Sequence, residues 1–367
     1  MNKKAVALLS GGLDSSLAVK LMIDQGIEVV AINFTSPFCN CTPKKSGCKH
    51  QARLMAEEMG IDIMVLPKCM DYLAIVKNPP HGHGRGMNPC IDCRIYMLRK
   101  AREKMASIGA SFVVTGEVLG QRPMSQHRQA IRTIEKASNL EGLIVRPLSA
   151  GLFPPSIPER EGIVDREKLL SISGRSRKPQ IDLADRLGIK DYPCPAGGCL
   201  LTDPIIASRL RDLFSHMPGY DISDIHLLKV GRHFRISRGL KAVLGRNKAE
   251  NEKIKSLAKP GYSIITPIGF RGPTALVTGN PGKSDERVIG EMIAGYSQED
   301  HNRYNLNKVV IGEKTSLLTV MRKMSPEALD AFRIGDGKGA ESRERQEIVI
   351  IDIPTRRQPE RDNGVQQ

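Results

Sequence analysis

The sequence has no tryptophan, and only eight phenylalanines and seven tyrosines in 367 residues. So few rings leave little material for an aromatic platform that stacks nucleic-acid bases. No apolar run approaches the roughly 18 residues of a membrane span, which excludes a helical anchor. The opening Met1–Leu9 is basic, then apolar, like the start of a signal peptide. Its apolar part is only five residues, Ala5–Leu9, and runs straight into a glycine turn, so it reads as a buried first strand. A cytoplasmic protein without a membrane partner is expected. Acidic residues are also scarce, 40 against 55 Lys and Arg, for a net charge of +15. Such an excess points to a polyanionic partner, most often nucleic acid. Ten lysines and arginines against two acids fall between Lys229 and Lys259, more than half of the excess in about a twelfth of the chain. That clustering favours a dedicated basic surface over a uniformly basic chain.

Residues 1–150 alternate short β-branched runs with helical stretches. Strands are expected at Ala5–Leu9, Ile27–Phe34, Ile61–Leu66 and Ser111–Thr115, and helices after Leu13, at Gln51–Met59 and at Ile95–Ile108. Helices of this length between strands imply an α/β fold with a doubly wound parallel sheet, whose ligands bind at the carboxyl ends of the strands. Residues 151–204 read as a connecting segment carrying the downstream cysteines. Thr202-Asp203-Pro204 is a helix start, and residues 205–335 read as a smaller α+β module, its core strands and one helix between Phe234 and Tyr296. Residues 336–367 form a polar tail, expected to be partly disordered.

The first expected strand ends in Ser10-Gly11-Gly12-Leu13-Asp14-Ser15-Ser16. Glycines let the backbone wrap an anion, and the amides at the following helix N-terminus supply donors. The Gly-Lys-Ser/Thr ending of a Walker loop is absent, and Asp14 stands where that lysine would bring charge. A magnesium-bridged phosphate or a leaving pyrophosphate suits such a loop. The string resembles the signature of the PP-loop ATP pyrophosphatases, with their adenine nucleotide alpha hydrolase-like fold. The resemblance implies ATP and Mg2+, adenylation of a carbonyl oxygen with pyrophosphate release, and attack by nitrogen or sulfur. It also implies that Phe34 lies by the adenine and Gly116-Glu117 across the nucleotide.

Eight cysteines in a chain with cytosolic features point to metal or catalysis rather than disulfides. Cys90-Ile91-Asp92-Cys93 is a CxxC turn, and Cys194 and Cys199 follow far downstream. With the loop, Asn88-Pro89 ahead of Cys93, and Gly198-Cys199, the chain resembles the tRNA 2-thiouridylase branch of the family over about residues 1–205. There the cysteines matching Cys93 and Cys199 handle sulfur, so Asp14, Cys93 and Cys199 are the expected catalytic residues. Cys90, a position often aspartate in that branch, and Cys194 depart from its pattern. Two mechanisms stand: a [4Fe-4S] cluster on Cys90, Cys93 and Cys199, as in cluster-bearing sulfur transferases, or a persulfide on Cys199 resolved by Cys93. Cys39, Cys41 and Cys48, with His50, form what reads as a separate group, either a Zn2+ site or buried thiols. Cys69 reads as core. His81 and His83 sit in a glycine loop, either a mobile lid or a substrate contact.

In the basic segment, Arg232, Arg235, Arg238 and Lys241 alternate along expected strands, and Arg246 and Lys248 open a helix. One solvated, phosphate-facing edge is expected. The segment from Phe234 to Tyr296 resembles the RNA-binding domain of the NFACT proteins, which implies contacts to RNA phosphates and shape. Together these readings predict an ATP-dependent tRNA sulfurtransferase fed by a sulfur donor protein or free sulfide. The alternatives are a PP-loop enzyme acting on a small molecule, which the basic module argues against, and a non-catalytic RNA adaptor, which Asp14 and the cysteines argue against.

Overall fold

The computed structural model describes residues 1–39, 48–189, 192, 199–312 and 315–335. Cys41, Cys194, the side chain of Cys48 and the expected tail lie outside the described residues. The first domain runs β1 (Lys4–Leu8), α1 (Leu13–Ile23), β2 (Glu28–Thr35), α2 (Cys48–Glu58), β3 (Ile63–Pro67), α3 (Met70–Lys77), α4 (Cys90–Ile108), β4 (Phe112–Thr115), α5 (Arg128–Ser138) and β5 (Ile144–Val145). The strands form a five-stranded parallel sheet in the order β3-β2-β1-β4-β5.

Alternation along β1 explains why both faces are covered. Ala5 and Ala7 point into a core with Leu17 and Met22 of α1 and Ala52 and Met55 of α2. Val6 and Leu8 point into the opposite core, with Ile95 and Leu98 of α4 and Ile134 of α5. Because β2 and β4 flank β1 on opposite sides, the strand order reverses at β1, and a crevice opens where its carboxyl end meets that of β4.

The segment after β5 folds back on the first domain through α6 (Ile157–Arg160) and α7 (Lys178–Arg186), with Leu183 and Ala184 in the α1 core. Next come α8 (Pro204–His216) and α9 (Ile222–Leu227). The Asp203 carboxylate caps α8 by accepting from the amides of Ile205 and Ile206. The apolar face of α8, with Leu210 and Leu213, packs in one cluster with Tyr72 and Leu73 of α3 and Tyr96 of α4.

The remainder is a six-stranded antiparallel sheet, in the order β11-β10-β8-β9-β7-β6. Its elements are β6 (Arg232–Ser237), β7 (Leu240–Leu244), α10 (Lys248–Ser256), β8 (Ser263–Ile268), β9 (Ala275–Thr278), α11 (Lys283–Gly295), β10 (Tyr304–Val310), β11 (Thr315–Val320) and α12 (Pro326–Phe332). The module thus holds more than the single helix expected before Tyr296, because Tyr304, Leu306, Val320 and Leu329 complete its core. One face of the sheet packs Phe234, Ala242 and Leu244 against α11, and the other packs Val243 and Leu276 with Leu227 of α9 and Ile254 of α10. Among the described residues, no helix is long and apolar enough to cross a membrane.

Candidate active site

The loop after β1 is pressed against α2. Gly11 has φ +76°, and a Cβ there would stand 2.7 Å from the Ala52 nitrogen, so only glycine fits. Gly12 caps α1 with no side-chain bond, so the first amides of the helix remain available to an anion. The Ser10 amide donates to Ser15 Oγ at 3.2 Å, and Ser15 Oγ and Ser16 Oγ donate to the Gly12 carbonyl at 2.8 and 3.2 Å. The Ser15 and Ser16 hydroxyls thus help to hold the loop in shape. Ser16 is wholly buried, while Ser10 stays exposed, and Leu13 belongs to the core.

Gly116 follows β4 and closes on the start of α1: a Cβ there would lie 2.5 Å from the Asp14 carbonyl oxygen. Asp14 Oδ2 accepts from Gln121 Nε2 at 3.0 Å and faces Arg177 at 3.7 Å. Its Oδ1 is buried without a hydrogen-bond partner among the described residues, an atom left for a ligand or cation. Phe34, near the end of β2, is half-buried against the α4 side of the sheet.

Three arginines converge beside Asp14, from α4 (Arg94), the loop after β4 (Arg122) and the approach to α7 (Arg177). Loss of solvent and the Arg94 and Arg177 charges push the Arg122 guanidinium below its ordinary value, opposed by Asp14 and Cys90. Basic groups crowded in this way accept an anion such as a polyphosphate at little cost. Sequence reasoning missed all three, since they are far apart in the chain and carry no motif. Glu117 is likewise buried between two arginines, with Arg94 Nε and Arg146 Nε each 3.0 Å from a carboxylate oxygen. Burial alone would raise its carboxyl, but the two guanidiniums hold it below the usual range.

Two thiols stand near these arginines at the start of α4. Pro89 caps that helix, and the Cys93 amide donates to the Pro89 carbonyl at 2.7 Å. The CxxC is therefore the first helical turn rather than a free-standing turn, with Cys90 and Cys93 on one face. Met87 donates its amide to the Leu201 carbonyl at 2.8 Å, and Leu200 donates to the Phe38 carbonyl at 3.1 Å. The chain at Cys199 is thereby held between the end of β2 and the start of α4. Gly86, with φ +71°, allows this approach, since a side chain there would collide with the Leu201 carbonyl.

The thiols differ in ionisation. Burial would raise the Cys93 thiol, but Lys68, whose Nζ donates to Cys93 Sγ at 3.0 Å, together with Tyr72 and Arg94, brings it below its ordinary value. Cys199 is pushed up to about 11 by burial and by the Cys93 charge, and Cys90 is raised by the same two causes. Cys39 also bears on Cys199, while Cys41 and the Cys48 side chain of its expected group lie outside the described residues, and Cys69 is exposed at the start of α3 rather than in the core. No three His, Cys, Asp or Glu side chains among the described residues gather as a metal-holding set. The glycine-loop histidines are tied down: His81 Nδ1 is 2.7 Å from Asp92 Oδ1, and His83 Nε2 lies 2.7 Å from the Val76 carbonyl.

In the antiparallel module the basic residues do not form one solvated edge. Both faces of the sheet are covered, so alternation buries charges as well as apolar groups. Lys241 is 4% exposed and lies 3.0 Å from Asp212, which also takes Arg235 at 2.7 Å. Arg232 lies over the Tyr296 ring, Arg246 pairs with Glu250, and Lys259 pairs with Asp221 and Asp224. Arg238 and Lys248 are exposed.

Comparison with known proteins matches residues 1–151 to the family described as thiamine biosynthesis protein (ThiI), and residues 231–333 to the NFACT protein RNA binding domain. The tRNA-specific 2-thiouridylase MnmA of Clostridium acetobutylicum is 34% identical over 32% of this chain and 36% of its own length. A probable tRNA sulfurtransferase of Methanosarcina acetivorans is 30% identical over 65% of this chain and 49% of its own. The chain thus spans between a third and a half of these curated relatives. Among solved structures, the U34-tRNA thiolase NcsA of Methanococcus maripaludis, carrying a [4Fe-4S] cluster, is 18% identical with a TM-score of 0.31, covering 62% of this chain and 71% of that one.

Proposed function

We propose that this chain is an ATP-dependent tRNA sulfurtransferase working in the cytoplasm. The observation that carries the reading is the Cys93 thiol, bonded by Lys68 and brought below its ordinary value by Lys68 and Tyr72, on the same helix as Arg94, which pairs with Glu117. The family match of residues 1–151 and the names of the curated relatives support it.

The loop amides and the arginines by Asp14 are suited to the phosphates of ATP, with Phe34 and Gly116 beside the nucleoside. The orphaned Asp14 Oδ1 fits a magnesium ion, which when bound neutralises phosphate charge. A carbonyl oxygen of a tRNA pyrimidine attacks the α-phosphorus, forming an O–P bond and expelling pyrophosphate. A terminal sulfur carried on Cys199, delivered by a sulfane-sulfur donor protein, then bonds to the activated carbon while its C–O bond breaks and AMP leaves. The Cys93 thiolate attacks Cys199 Sγ, breaking the bond to the transferred sulfur and leaving a Cys93–Cys199 disulfide for an external thiol to reduce. The pair divides the work: Cys93 is the nucleophile, and Cys199 stays protonated until it is loaded. This route is favoured over a cluster on Cys90, Cys93 and Cys199 because Cys93 is already engaged by Lys68 and Tyr72.

The test measures tRNA-dependent pyrophosphate release together with mass spectrometry of the digested tRNA. Cys93→Ser and Cys199→Ser should keep pyrophosphate release and form no thiolated nucleoside. Pyrophosphate release stimulated by a small metabolite, and not by tRNA, would replace this reading with small-molecule adenylation. Thiolation by wild-type protein that is lost with its iron would replace the persulfide with a cluster.

A further inference from the structure

A second cavity, of about 260 Å³, opens beside the sheet edge at β5, and no residue of the phosphate loop lines it. Arg128 and Arg132 of α5, Arg146 just after β5, and Arg160 bring four guanidiniums to its wall. Two carboxylates also face it, and both are committed: Glu135 to Arg146, Glu159 to Arg166 and the Ser156 hydroxyl. Arg128 and Arg132 have no ion pair among the described residues.

Arg146 carries the argument. It is only 5% exposed, and Nε and Nη1 are taken by Glu117 and Glu135, yet its Nη2 is buried without a hydrogen-bond partner among the described residues. A guanidinium nitrogen left dry and unpaired costs free energy, and a small shift of the Arg146 side chain toward an acceptor in the cavity that it lines removes that cost. The Phe153 ring lies at the same place, with Arg128 5.5 Å from its centroid and Arg146 5.6 Å. Ile131, Ile144 and Pro154 complete an apolar wall. Guanidinium forks match phosphate oxygens two at a time, and a ring with an apolar wall suits the flat part of a nucleotide.

We propose that this cavity is a second anion site that takes the phosphate of a nucleotide, either within an RNA chain or free. Its occupant is coupled to the active site through shared charge, since Arg146 and Arg94 hold the same Glu117. The inference concerns binding and stands whether or not tRNA is thiolated.

The test titrates 5′-UMP and, separately, tRNA into the full chain with an excess of a non-hydrolysable ATP analogue filling the loop. The comparison is Arg128→Ala/Arg132→Ala, whose two sites are exposed on α5 and tolerate truncation; its affinity for the ATP analogue should stay within about twofold. If the cavity takes a free nucleotide, 5′-UMP binds the wild type and about tenfold more weakly the variant. If it takes an RNA phosphodiester, 5′-UMP does not bind, and the salt dependence of tRNA affinity falls by about two in slope. Unchanged binding of both probes overturns the proposal.

Discussion

The two sheets treat their charged residues in different ways. In the antiparallel module, Asp212 answers Arg235 and Lys241, Glu250 answers Arg246, and Asp221 and Asp224 answer Lys259. In the parallel domain pairing is also present, with Glu117 between Arg94 and Arg146, but it is incomplete. Asp14 Oδ1 and Arg146 Nη2 are buried without partners among the described residues, and Arg94, Arg122 and Arg177 crowd together. A folded chain tolerates such groups where a ligand will complete them. The density of lysine and arginine in the sequence pointed to the module, whereas unpaired charge in the structure points to the crevice.

The sharpest way to break this comparison is at the loop. Gly11→Ala forces a side chain into a left-handed position against the backbone of α2, displacing the amides that face the phosphates. Pyrophosphate release should fall by about a hundredfold or more, while tRNA binding persists. Near-normal turnover would mean that the loop backbone is not what holds the phosphates.

A smaller effect separates structural from binding charges in the module. Asp212→Ala strands Lys241 in the interior and should destabilise the protein by about 3 kcal/mol or more. Arg238→Ala with Lys248→Ala should leave stability unchanged and lower the salt slope of tRNA affinity by about two. Thermal unfolding and filter binding at several salt concentrations check both. An RNA effect of Asp212→Ala without loss of stability would show that the paired charges are available to RNA after all.

The parallel domain was largely legible because its signals are local. β-branched runs alternate with helices, and the turn Gly11-Gly12 between β1 and α1 needs only neighbouring residues to be read. The meeting of Cys93 with Lys68 brings the end of β3 to the start of α4, and that of Cys199 with Cys39 depends on backbone pairing between Met87 and Leu201 and between Leu200 and Phe38, none of which leaves a trace in spacing. In the module, reading Arg235 and Lys241 as solvated assumed a sheet with one wet face. The second layer, α9 and α10, covers that face, and Asp212 on α8 supplies the counter-charge from outside the basic segment.

The central claim is that Lys68 lowers the Cys93 thiol below its ordinary value, and the pH dependence of its alkylation measures this. Lys68→Met removes the cation that favours the charged sulfur, so the thiol must rise and the acidic limb of the profile must move to higher pH. At pH 7 the labelling of Cys93, followed by peptide mass spectrometry, should slow by roughly tenfold relative to wild type. A profile for Lys68→Met that overlays the wild type would contradict the account.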